Sequence, residues 1–219
     1  MKLIIGSKNY SSWSLRSWLL LTQAGIPFEE IPVQFSAPDF KQKVLRHSPA
    51  GRVPVLIDGD LTVWDSLAIA EYVAENFADR QLWPADRKAR AEARSVCAEM
   101  HAGFQALRNQ MPMNVSASLP GRGWNVDVQK DITRIAAIWG KRSRFAGAGP
   151  FLFGRFGVAD AYFAPVVWRF NTYKPELPAQ ALDYVHAVLA LPAMQAWAAD
   201  AAREREFIAD DEPYRVALA

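Results

Sequence analysis

The sequence predicts a small α/β domain followed by an all-helical domain, and three observations carry that prediction. Short apolar runs alternate with helical patterns as far as residue 77, and two of the runs are joined by Asp58-Gly59-Asp60. A short linker containing Pro84, residues 78–86, follows. From Arg87 onward the chain is rich in alanine, and apolar residues recur at helical spacing with no further strand pattern.

Lys2 to Gly6, KLIIG, reads as a buried strand, and Leu15, Trp18, Leu19 and Thr22 fall on one face of a helix that Gly25 and Pro27 stop. Residues 28–33 read as a strand, with Pro32 marking it as a sheet edge. Pro38 and Asp39 start a short helix that runs to Leu45. The runs 53–57 and 61–64 form a hairpin through the Asp-Gly pair. Asp65-Ser66 then opens a helix with apolar Leu67, Ile69, Ala70, Tyr72, Val73 and Phe77. The order β-α-β-α-β-β-α is the thioredoxin-like plan: a parallel pair, then an antiparallel hairpin, with helices on both faces. Helices are expected at 87–110, 125–144, 158–170, 178–189 and 192–205. The division is therefore a thioredoxin-like domain at 1–80 and an all-helical domain at 87–219.

The 25 basic and 23 acidic residues leave a net charge of +2, with both signs interspersed, so neither nucleic acid nor an anionic membrane is an expected partner. Cys97 stands alone, which excludes an internal disulfide and a cysteine zinc site, and it is expected to be buried and inert. His47, His101 and His186 are isolated and make no metal set. The opening MKLIIGSKNYSSW lacks a signal-peptide core, and no apolar run is long enough to span a bilayer. The expectation is a cytoplasmic, metal-free protein.

Four motifs, in order along nearly the whole chain, resemble the glutathione transferase family. Ser11-Ser12-Trp13-Ser14-Leu15-Arg16 is similar to the SSCSxR start of the zeta class, which includes maleylacetoacetate isomerases, but has tryptophan where that class has cysteine. Ser48 to Leu56, SPAGRVPVL, resembles NPxGKVPxL; Asp65 to Tyr72, DSLAIAEY, resembles ESxAIxxYL; and Gly157 to Ala161, GVADA, resembles the S/TxAD helix start of the second domain.

The resemblance implies glutathione as cosubstrate, a homodimer, and specific roles for these residues. A hydroxyl from Ser11, with Ser12 as rival and Tyr10 as third candidate, would face the sulfur. A thiol of pKa about 8.5 is mostly neutral at pH 7, and a hydroxyl donor at a helix N-terminus favours its thiolate. Either serine would alternatively cap the helix. Pro54, cis in the family, would turn the Val53 backbone toward the cysteinyl part. Arg52 would pair with the glycyl carboxylate or stay in solvent, and His47 is a candidate for the same end. Asp65 would accept the γ-glutamyl ammonium, and Ser66 would offer its hydroxyl and N–H to the γ-glutamyl carboxylate. Asp-Ser is also a plain cap signature.

Trp13 either walls a second-substrate pocket or packs at the helix start. Met111, with Met113 and Trp124, either lines that pocket or packs in the core. Asp160 has a structural role, as half of a capping box whose other half Gly157 cannot supply. The implied function is conjugation of glutathione to small apolar electrophiles, as in detoxification. One alternative is a maleylacetoacetate-type isomerase, for which Arg16, Arg108 and Arg122 are the candidate basic residues. The other is a non-catalytic binding protein on the same fold.

Overall fold

The structure, a computed structural model, describes residues 1–215, apart from the side chains of Ser143 and Ala146. The last residues of the expected second domain, 216–219, lie outside the described residues. Strand β1 (Lys2–Ile5) leads through a buried loop to helix α1 (Ser12–Gln23), then to β2 (Glu29–Pro32) and α2 (Phe40–Leu45). The hairpin of β3 (Val55–Asp58) and β4 (Leu61–Trp64) precedes α3 (Ser66–Asn76). The sheet order is β2-β1-β3-β4, with β1 and β2 parallel and the remaining pairs antiparallel. This is the predicted plan, and Pro32 lies on an edge strand.

Alternation along β1 sorts its side chains between two faces. Leu3 and Ile5 join a large core with Leu15 and Leu19 of α1 and Ile69 of α3. Ile4 joins Val33, Val44 and Val55 beneath α2. The large core continues without a break into the second domain, through Cys97, Ile135, Trp139, Val158 and Phe163.

The second domain comprises α4 (Arg87–Ala102), α5 (Gln105–Gln110), α6 (Val126–Gly140), α7 (Val158–Tyr173), α8 (Ala179–Leu189) and α9 (Pro192–Ala201). The expected single helix over 87–110 is two helices. Gly103 ends α4, and Phe104, at φ 62°, turns the chain so that Leu107 and Met111 enter the core. The expected helix over 125–144 closes at Gly140 and continues as 3-10 turns, and that over 192–205 ends at Ala201. No helix among the described residues is long and apolar enough to cross a membrane, and none of their His, Cys, Asp and Glu residues form a metal-binding group.

Asp160 ties the start of α7 to its surroundings. Its carboxylate accepts from Gly157 N at 3.0 Å, Leu152 N at 3.0 Å and Tyr184 Oη at 2.9 Å. Burial pushes this carboxyl up to about 6, against the opposing pull of those donors. Asp160→Ala leaves these buried donors without an acceptor, at about 1–3 kcal/mol for each unsatisfied group. A total loss of about 3 kcal/mol or more should lower Tm by about 6–12 °C in a protein of this size. Thermal unfolding followed by circular dichroism checks this; an unchanged Tm would rule out the structural role.

Candidate functional site

Helix α1 begins where the loop after β1 ends, and the serines there have different environments. Ser11 is the N-cap: its Oγ accepts from Ser14 N at 3.3 Å and donates to Ser14 Oγ at 2.7 Å. Ser14 Oγ in turn accepts from Gly6 N at 3.0 Å. The Ser12 hydroxyl has no hydrogen-bond partner among the described residues and lines a cavity of about 320 Å³ with Tyr10, Ser11, Trp13, Arg52, Val53 and Asp211. Tyr10 Oη donates to Glu212 Oε1 at 2.6 Å, and burial together with that carboxylate pushes its pKa up to about 12.

A second cavity, of about 250 Å³, adjoins the first and shares Trp13, Arg52 and Val53 with it. Its remaining walls include Pro54, Trp64, Asp65, Ser66 and His101. The Val53–Pro54 peptide is cis. The Val53 N–H and C=O have no hydrogen-bond partner among the described residues. Asp65 caps α3, with Oδ1 accepting from Leu67 N at 2.8 Å, while its other oxygen lies 3.5 Å from His101 Nε2. Asp65 sits at φ 72°, a conformation that costs a non-glycine residue on the order of 1–3 kcal/mol and recurs at ligand sites. Ser66 is buried, and its Oγ lies 3.0 Å from Tyr162 Oη of α7. As the first residue of α3, Ser66 carries an N–H with no intrahelical acceptor.

Beneath Trp13 lies Arg16, 2% exposed, with its guanidinium 4.2 Å from the Trp13 ring and 4.5 Å from that of Tyr162. Its Nε and Nη1 have no hydrogen-bond partner among the described residues. Burial lowers its pKa to about 10, so it remains a cation at neutral pH. The Arg108 guanidinium stands 4.9 Å from the same indole and donates to Gly103 O and Met100 O. The His101 ring meets Trp13 edge-on at 5.2 Å.

Tyr10, Ser11, Ser12, Trp13, Arg52, Val53, Pro54, Asp65 and Ser66 of the N-terminal domain therefore line these cavities. Met111 does not: it is 1% exposed in the core, and its carbonyl accepts from Arg169 Nε at 2.8 Å. Met113 is also buried, while Trp124 and Arg122 are exposed and line neither cavity. His47 lines a separate hollow beside Val33 and Glu206. Cys97 is buried, which pushes its thiol far up. Sequence spacing gave no sign of His101, Tyr162 or Asp211 as neighbours of the cleft. His101 is 36 positions from Asp65, and no local pattern links residues so far apart.

Residues 10–76 match the glutathione S-transferase N-terminal domain, and residues 89–200 match the C-terminal domain. A maleylacetoacetate isomerase of Rattus norvegicus is 30% identical over 192 residues, 84% of this chain and 87% of that protein. A zeta-class glutathione S-transferase of Euphorbia esula is 28% identical over 184 residues, 81% of each chain. Among solved structures, a glutathione transferase homologue from Burkholderia with bound glutathione matches with a TM-score of 0.70 at 25% identity, over 93% of this chain and 98% of that one. With both domains matched in order around a cleft of this composition, the chain belongs to the glutathione S-transferase family and is a glutathione transferase.

Proposed function

We propose that glutathione lies along the two adjoining cavities, with its thiol at Ser12 and its γ-glutamyl end at Asp65-Ser66. The observation that carries this placement is that an unpartnered hydroxyl, an unpartnered backbone amide and a capped helix start line two cavities that share Trp13, Arg52 and Val53. Ser12 presents its hydroxyl at the N-terminus of α1, where a donor and the helix dipole together favour a thiolate. Ser11 is occupied as the cap, and Tyr10 has its proton committed to Glu212. The Val53 N–H and C=O would pair with the cysteinyl unit as an added strand edge does. Arg52 is exposed at the shared wall, in reach of a glycyl carboxylate. Asp65 would take the γ-glutamyl ammonium, and the Ser66 hydroxyl and N–H its carboxylate.

The electrophile would sit against Trp13, with Phe35 and Phe40 completing an apolar wall. Small apolar electrophiles suit that surface, and the thiolate sulfur would attack their electron-poor carbon. A second reading is glutathione-dependent cis–trans isomerisation of a maleyl-type acid. The guanidiniums of Arg16 and Arg108 around Trp13 favour it, because cations there would attract carboxylates. Turnover of maleylacetoacetate rather than of an aryl halide would select the isomerase, and glutathione binding with neither turnover would select a non-catalytic role. A homodimer is the assembly that the family resemblance implies.

A hydrogen bond to a charged group contributes about 1.5–3 kcal/mol, and one pKa unit corresponds to about 1.36 kcal/mol. Ser12→Ala should therefore raise the pKa of the bound thiol by about one to two units and slow turnover at neutral pH, with the deficit shrinking at high pH. Ser11→Ala should instead cost about 1 kcal/mol of stability as a lost cap and leave the titration in place. Ultraviolet titration of the bound thiolate checks both, and a shift in Ser11→Ala alone would pass the role to Ser11. Ser66→Ala should weaken glutathione binding by about 1–3 kcal/mol. Calorimetry giving an unchanged Kd in that folded variant would reduce Ser66 to a helix-start residue.

A further inference from the structure

The segment after α9 returns across the loop that precedes α1 and is held there on both sides of Asp211. Before it, the Glu204 carboxylate accepts from Lys8 N at 2.7 Å, from Asn9 N at 3.0 Å and from Ser7 Oγ. After it, Glu212 accepts from Tyr10 Oη at 2.6 Å. The turn Ala209–Asp211 thereby brings Asp211 into the wall of the cavity that holds Ser12 and Val53. The Asp211 carboxylate has no hydrogen-bond or ion-pair partner among the described residues, although the residue is half-buried.

We propose that Asp211 is the proton acceptor for the glutathione thiol, a catalytic residue that rests on the placement of glutathione given above. The thiol proton moves to a carboxylate oxygen of Asp211, and the S–H electron pair stays on sulfur. The thiolate then forms the S–C bond. In an addition, the Asp211 carboxyl returns the proton to the adjacent carbon; in a substitution, the departing group carries off its bonding pair and the proton goes to solvent. The transfer moves a negative charge from carboxylate to sulfur without creating a second one. Ionising the thiol to bulk water beside an ionised Asp211 would instead place two anions in one small cavity, which is unfavourable.

The groups facing Asp211 are Tyr10 and Arg52 from the cavity walls, Arg169 and Tyr173 from α7, and Asp210 and Glu212 from its own segment. Arg169 donates to Met111 O and Pro165 O and forms no ion pair with Asp211. Burial, with Asp210 and Glu212, outweighs Arg169 and pushes the Asp211 carboxyl up to about 6. A base that titrates near the working pH is the more effective one. It must be ionised to act, so activity should rise with pH through about 6.

The test is proton release on glutathione binding at pH 7 in weak buffer, read with an indicator dye and normalised to thiolate absorbance. The wild-type protein should release well under one proton per thiolate, because Asp211 keeps it. Asp211→Asn, an isosteric change, should release about one per thiolate, lose about 10²-fold or more in kcat, and lose the acid limb of its pH profile. Asp211→Glu should restore proton retention. Equal release per thiolate in wild type and Asp211→Asn, both binding glutathione, overturns the proposal and leaves the binding site standing. A wild-type protein that binds no glutathione overturns both.

Discussion

The loop from Gly6 to Ser11 is buried along its whole length, and a buried loop persists only if its N–H and C=O groups find partners. The ends of the loop are satisfied locally, by Ser14 Oγ on Gly6 N and by the bond from Ser11 N to Ser7 O, but the partners of Lys8 and Asn9 at its centre come from the helical domain. Glu204 takes the N–H groups of Lys8 and Asn9, Trp197 Nε1 donates to Lys8 O at 2.8 Å, and Val115 N donates to Asn9 O at 3.2 Å. The Lys8 ammonium, 6% exposed, reaches Asp200 at 2.6 Å and Glu30 at 2.8 Å between the rings of Trp18 and Trp197. Removing both carboxylates would strand a buried charge, which is far costlier than losing a surface pair. This clamp sets where α1 starts, and therefore where the serines and Trp13 stand.

The cleft inherits its electrostatics from the same arrangement. Helices α1 and α3 both start at its walls, so two positive dipole ends converge there. Arg16 adds a buried cation that lies against two aromatic faces and makes no direct ion pair among the described residues. Such contacts are worth about 2 kcal/mol when desolvated, less than the several kcal/mol that burying an ion costs. The bond between Ser66 and Tyr162 extends the helical domain's influence to the other end of the cleft, so each subsite has one wall from each domain.

Much of the fold was legible because its causes are local. Alternation in β1, the Asp-Gly turn between β3 and β4, and the caps at Ser11, Asp65 and Asp86 all act within a few residues. The break after Ala102 was not legible, because Phe104 takes a left-handed conformation that its residue type does not announce and that burial of its ring among distant side chains sustains. Met111 shows the converse limit: a flexible apolar side chain suits a pocket wall and a core equally well, and only packing decides between them.

The sequence by itself determined the order of elements, the two-domain division and the short segments that meet at the cleft, since helix caps, hairpin turns and hydrophobic periodicity are written in neighbouring residues. Only the tertiary structure decided which hydroxyl is free, that the Tyr10 hydroxyl donates its hydrogen bond to Glu212, and that His101, Tyr162 and Asp211 stand beside residues tens to hundreds of positions away. Hydrogen-bond partners in a buried site are assigned by competition among all the groups that packing brings within reach, and that competition has no signature in local spacing.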